Sequence, residues 1–198
     1  MRTVPLSRCS RWLLVLAFAC PLGWAGDAKA FNGKDVSARK IGGELNVPDS
    51  SGVRRKLADF RGKVVLIFFG YTHCPDVCPT TLSRMNAVLE LLGADAARMQ
   101  VLWMTVDPER DTPALLSNYV PAFNPSFIAL RGSPEQTLRV THAFEIQYQV
   151  LHYNGQVLVD HSAHGYLLDR AGKVRVRLGY DMTAEQIAED VHRLLRGS

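Results

Sequence analysis

The sequence predicts an α/β fold with a mainly parallel core, and three observations carry the prediction. Residues 64–69, Val-Val-Leu-Ile-Phe-Phe, form an unbroken apolar run bounded by Gly62 and Gly70, the pattern of a strand covered on both faces. Leu82, Met85, Val88, Leu89 and Leu92 then recur at helical spacing until Gly93 stops the pattern. Residues 99–106 return to a strand-like run and close a β-α-β unit. A chain of 198 residues, 47% hydrophobic and 21% charged, is long enough for one well-cored domain and short for two.

Residues 1–30 have a basic start, an apolar stretch from Trp12 to Cys20 and small-residue pairs at Gly23/Ala25 and Ala28/Ala30. They are expected to be a signal peptide or an N-terminal membrane anchor, the apolar stretch being shorter than a full membrane span of about 20 residues. Arg2, Arg8, Arg11 and Lys29 against Asp27 place most of the formal +4 charge here. The rest of the chain is nearly neutral, so charge gives no support to nucleic-acid binding.

Residues 31–59 are expected to form an extension with a hairpin from residues 44–47 and 53–57. After the central strand, Thr80 and Thr81 offer capping hydroxyls to the first helix. Asp111-Thr112-Pro113 opens a second helix, with proline at a favourable early position, that runs to about Tyr119. Residues 127–130 make a short strand, and Ser133-Pro134-Glu135 starts a third helix reaching about Phe144. Residues 148–153 and 156–160 flank Asn154-Gly155, a strong hairpin turn signal. A second hairpin joins residues 166–169 and 174–178. Residues 183–195, with Ile187, Val191, Leu194 and Leu195 on one face, close the chain as a helix. This order is that of a single thioredoxin-like domain, residues 31–198, with an N-terminal hairpin extension.

The chemistry centres on Cys74-Pro75-Asp76-Val77-Cys78-Pro79, at the junction of the central strand and the first helix. A helix N-terminus lowers thiol pKa, so both thiols are expected to be reactive. Cys9 and Cys20 fall in the leader, and a disulfide joining Cys74 to Cys78 would close too short a loop to restrain the unfolded chain much. On a helical path residues 74 and 78 share a face, with Cβ atoms roughly 5–6 Å apart. Modest adjustment then permits a disulfide or two bonds to one metal ion. Thioredoxin-type oxidoreductases usually have two intervening residues; the C-x-x-x-C spacing shifts weight toward metal binding and leaves redox exchange open.

Two thiolates leave a soft metal site unfinished, and imidazole is the natural completing ligand. His161 is the candidate, because Asp160-His161-Ser162 lies between two expected strands, where a loop of this fold comes beside the cysteine loop; His164 is the alternative. His73 is expected to point away, His142 and His192 to sit on helix surfaces, and His152 to have no partner that can be named. Two thiolates and one imidazole suit copper in either oxidation state, or zinc; zinc would prefer a fourth ligand, so copper leads. The run Asp107-Pro108-Glu109-Arg110-Asp111 is expected to be a solvated loop, the alternative being that its carboxylates face the cysteine loop.

Four stretches together resemble the SCO/SenC family of copper-binding assembly proteins: Asp59-Phe60-Arg61-Gly62-Lys63, residues 69–79, residues 106–112 and Asp160-His161-Ser162-Ala163. The resemblance spans about residues 31–195. It implies a thioredoxin-like fold, copper as Cu(I) or Cu(II) held by Cys74, Cys78 and His161, and delivery to the dinuclear CuA centre of cytochrome c oxidase subunit II. It favours His161 over His164, through the spacing to Tyr166. It further implies a periplasmic metallochaperone rather than an enzyme, soluble or anchored through its N-terminus, with other copper chaperones or thiol reductases as further partners. The competing expectation is a thiol-disulfide reductase whose redox-active pair Cys74 and Cys78 keeps the CuA-site cysteines reduced. Asp35-Val36-Ser37-Ala38 departs from the family's usual Asp-Val-Thr-Gly, away from the site residues. A Cys74–Cys78 disulfide cannot supply thiolate ligands, so reduction must precede loading.

Overall fold

A computed structural model describes residues 30–153 and 156–197. The expected leader, but for Ala30, and the Asn154-Gly155 turn lie outside the described residues. Among those described, no helix is long and apolar enough to cross a membrane.

The chain runs β1 (Lys34–Asp35), β2 (Asn46–Pro48), β3 (Arg54–Lys56), β4 (Val64–Gly70), α1 (Val77–Leu92), β5 (Met99–Thr105), α2 (Pro113–Tyr119), β6 (Ile128–Leu130), α3 (Pro134–Ala143), β7 (Tyr148–Tyr153), β8 (Gln156–His161), β9 (Gly165–Leu168), β10 (Val174–Leu178) and α4 (Ala184–Arg196). Six strands form one sheet in the order β1-β10-β9-β4-β5-β6. β4 pairs parallel with β5 and β5 with β6, while β9 and β10 are antiparallel additions. The β2–β3 and β7–β8 hairpins stand apart from this sheet.

Every residue of β4 is buried. Val64, Leu66 and Phe68 join the core under α1 and α4, whereas Val65, Ile67 and Phe69 join the core that holds Leu45, Val140 and Phe144. Period-2 alternation thus feeds two cores from one strand, as a sheet covered on both faces demands. The strand delivers its C-terminal end, Gly70, to the edge where the cysteine loop begins.

Helix starts follow their side chains. Ser133 and Thr183 each accept from the N–H three residues on, in capping boxes completed by Gln136 and Gln186. Thr112 caps α2. α1 differs from expectation: it starts at Val77, ahead of Thr80 and Thr81, with Asp76 at the cap position. Pro79 is tolerated because the first-turn N–H groups have no intrahelical acceptor. Cys78 therefore sits in the first turn of α1, and Cys74 in the loop before it.

Two residues of strand at β1 escaped the sequence reading, which is unsurprising for so short an element. They are pinned from α4. The fully buried Asp190 accepts from the Asn32 and Gly33 backbone N–H groups, each at 2.8 Å, and pairs with Arg193. Asp190→Ala leaves these donors unpaired and is expected to cost about 3 kcal/mol, lowering Tm by roughly 10 °C in a thermal melt.

Candidate metal centre

Backbone geometry builds the cysteine loop. The Val106 N–H donates to Gly70 C=O at 2.8 Å, extending the β4–β5 ladder past its last residue, and the Cys74 N–H turns back to Tyr71 C=O at 3.2 Å. Gly70 is required by contact: a β-carbon there would stand 2.6 Å from Cys78 Sγ and 3.0 Å from Trp103 Nε1. The sulfur of Cys78 settles directly on the backbone at the strand end. Both Cys74 and Cys78 are free thiols, Cys74 half-buried and Cys78 buried.

His161 is the last residue of β8 rather than a loop residue, and the β7–β8 hairpin carries it to the thiols. Its Nδ1 lies 3.0 Å from the Ser162 carbonyl. A carbonyl only accepts, so Nδ1 carries the proton and Nε2 keeps its lone pair. That Nε2 stands 3.9 Å from Cys78 Sγ. Metal bonds of ~2.3 Å to sulfur and ~2.0 Å to nitrogen can span such a separation, so the pair fits one soft ion. Tyr71 packs its ring edge-on to the imidazole at 5.9 Å. Gln147, Tyr148, Gln149, Asp160 and Ser162 border an open cavity on the other side of His161.

Burial pushes the Cys78 thiol up to about 12, with the neighbouring Cys74 adding to the shift and the Tyr71 backbone opposing it. The expectation of a thiolate activated by the helix N-terminus is therefore not met at Cys78: desolvation outweighs the helix dipole. Burial also lowers the pKa of His161, keeping the ring neutral and able to ligate. Among the described residues, no three His, Cys, Asp or Glu side chains already meet around one metal-sized point. Cys78 and His161 are the pair in place, with Cys74 on the adjoining loop.

The other histidines are accounted for. His164 Nε2 is 3.0 Å from the Tyr166 hydroxyl and its Nδ1 3.3 Å from Arg177 Nη2, which commits both ring nitrogens. Burial and the Arg177 charge push its pKa down to about 4. His73 is exposed and directed to Thr72 and Asp111, His142 is exposed, and His192 lies 3.5 Å from Asp95. The His152 side chain lies outside the description. Because the unfolded His164 binds a proton near pH 6.5 and the folded one only near 4, stability is expected to fall as pH drops through that window. His161 adds to the same slope. Urea unfolding at pH 7 and pH 4.5 should show a smaller loss in His164→Gln than in the parent.

The run 107–111 is not the solvated loop expected of it. Asp107 is 7% exposed and Asp111 fully buried. Asp111 accepts from the Thr72 N–H at 3.2 Å and from the Thr72 and Thr105 hydroxyls at 2.5 Å, tying the cysteine loop to the end of β5. Arg110 pairs with Asp107, donates to Val157 C=O at 2.8 Å and lies over the Tyr71 ring, which joins this loop to the hairpin bearing His161. Charged residues that need partners once buried explain the inversion. Their proximity to the sheet edge was the available signal, and it was outweighed by their polarity.

The SCO1/SenC family model matches residues 33–196. A SCO2-like protein of Rickettsia prowazekii is 35% identical over 153 residues, covering 76% of this chain and 75% of that protein. The structure of Bradyrhizobium japonicum ScoI with copper bound aligns with TM-score 0.72 and 38% identity over 78% of this chain and 99% of that one. BsSco, described as a member of the Sco family of cytochrome c oxidase assembly proteins and as having a disulfide switch, shares the fold at TM-score 0.64 and 24% identity, covering 80% of this chain and 96% of that one.

Proposed function

From the premise that the chain belongs to the SCO1/SenC family, we propose that it carries copper as cargo on Cys74, Cys78 and His161 and delivers it to the CuA centre of cytochrome c oxidase subunit II. The observation that carries this reading is the Cys78 Sγ to His161 Nε2 approach of 3.9 Å, with Nδ1 tied to Ser162. Copper-bound relatives and the donor set of two soft sulfurs and one imidazole support copper over harder ions.

Cys78 supplies a buried sulfur that gives up its proton when the metal arrives, His161 a neutral nitrogen with its second nitrogen already committed, and Cys74 a reachable sulfur that the loop can bring in or release. Loading therefore releases the Cys78 proton and none from the imidazole. Exit is eased by the half-buried Cys74 and by the open side of His161. The leader, on this reading, exports the domain to the periplasm or anchors it at the membrane there.

A second reading has one observation in its favour: an accessible thiol beside a buried one is also the arrangement of an attacking and a resolving cysteine. As a reductase, the pair would keep the CuA-site cysteines reduced. Transfer of one Cu(I) to an apo CuA domain, measured beside insulin-reduction turnover, separates the two. The carrier is expected to deliver copper and turn over insulin slowly, with His161→Ala abolishing delivery. Fast turnover unaffected by His161→Ala, without delivery, would establish the reductase instead.

A further inference from the structure

We infer that the indole N–H of Trp103 is a hydrogen-bond donor held for the sulfur of Cys78, and that it meets this sulfur when Cys78 ligates copper. The inference rests on the copper-carrying reading above and adds a residue to it that lies on β5, outside the cysteine and histidine segments.

Trp103 is fully buried, and its Nε1 has no hydrogen-bond partner among the described residues. Buried donors are almost always satisfied, so one left open beside a reactive group calls for an explanation. The position supplies it. Trp103 Nε1 lies 3.0 Å and Cys78 Sγ 2.6 Å from the point where Gly70 would carry its β-carbon, so both border the gap that the missing side chain leaves. Indole nitrogen is donor only, so it can be satisfied only by an acceptor, and Cys78 Sγ borders the same gap.

The chemistry of the sulfur completes the case. A neutral thiol is a weak acceptor, whereas a metal-bound thiolate carries charge and accepts strongly. Cys78 has a buried sulfur with little water to solvate that charge, and Trp103 presents a donor from the β5 side of Gly70. Tyr119 packs on Trp103 with ring centroids 6.0 Å apart and holds the indole in place. On this inference Trp103 is a positioning residue: its donor supports a ligand sulfur, without itself binding metal.

The test uses the full chain, reduced and isotopically labelled with ¹⁵N, and Cu(I) alone as the probe. The chain has three tryptophans, and the Trp103 indole resonance is the one lost in Trp103→Phe. On loading, the Trp103 indole proton is expected to move downfield as it bonds to sulfur. Trp103→Phe is expected to bind one Cu(I) roughly tenfold more weakly against a competing chelator, the size of one hydrogen bond to a charged group. Should the variant fail to fold, the resonance is assigned in the parent through its proximity to the Tyr119 ring, and its shift decides alone. A parent that binds Cu(I) with its Trp103 indole unmoved overturns this inference and spares the carrier reading, as does a folded Trp103→Phe of unchanged affinity; a parent that takes up no copper overturns both.

Discussion

Cys78→Ser is expected to lower Cu(I) affinity by more than roughly a hundredfold, beyond the loss typical of a residue that merely supports a ligand. Cys78 is the sulfur already facing His161 Nε2, at 3.9 Å, and its thiol is buried in the first turn of α1. Serine keeps the shape and removes the soft donor, so the fold should survive while copper retention fails. Burial that holds the Cys78 thiol at about 12 gives the site a second signature. Copper must displace a proton from that thiol, so the parent's affinity should rise with pH through the neutral range, and the dependence should flatten in Cys78→Ser. Chelator competition at pH 6.5 and pH 8 reads both effects. Equal affinity in parent and variant would remove Cys78 from the site.

Asp111→Ala is the largest expected loss of stability near the site, about 3–5 kcal/mol by analogy with breaking a buried charged network. The carboxyl of this residue receives the Thr72 N–H and two hydroxyls, and it is fully buried. Alanine removes the acceptor of all three donors, of which the Thr105 hydroxyl is fully buried. At roughly 2–4 °C per kcal/mol for a chain of this size, Tm should drop by about 10 °C or more. The loop carrying Cys74 should loosen with it, since Thr72 is its tether to β5, and copper affinity should fall even where the variant is still folded. A melt unchanged within a degree or two would show that Thr72 and Thr105 find other partners.

The fold was legible wherever a strong period met a strong boundary. The two-sided run of β4, the helical spacing of α1 and the helix that Ser133-Pro134-Glu135 opens all appear where the residues place them. The start of α1 was misplaced because Pro79 reads as a break, although a first-turn proline forfeits no helical hydrogen bond. At the site, residue type and spacing offered Cys74, Cys78 and His161 as candidates, with His164 as the alternative, and the structure brings Cys78 and His161 together. Trp103 was not among them, and Asp111 entered only through the less favoured alternative of carboxylates facing the cysteine loop. Asp111 is a polar residue of a kind usually assigned to solvent, and only the folded turn at Thr72 and the end of β5 at Thr105 supply its donors. Trp103 sits in an apolar strand where its ring explains itself by packing alone; its orphan nitrogen becomes visible only beside Gly70 and Cys78. The pKa of Cys78 was misjudged for the same reason, since burial at the end of β4 is a property of packing and not of the helix terminus.

X-ray absorption at the copper edge of the reduced, Cu(I)-loaded full chain, compared with His161→Ala, tests the three-ligand centre most directly. Two sulfur scatterers and one imidazole nitrogen are expected in the parent, with the nitrogen lost and both sulfurs kept in His161→Ala. A parent spectrum with no imidazole contribution, or one that His161→Ala leaves unchanged, would contradict the assignment of Cys74, Cys78 and His161 as the copper-holding set.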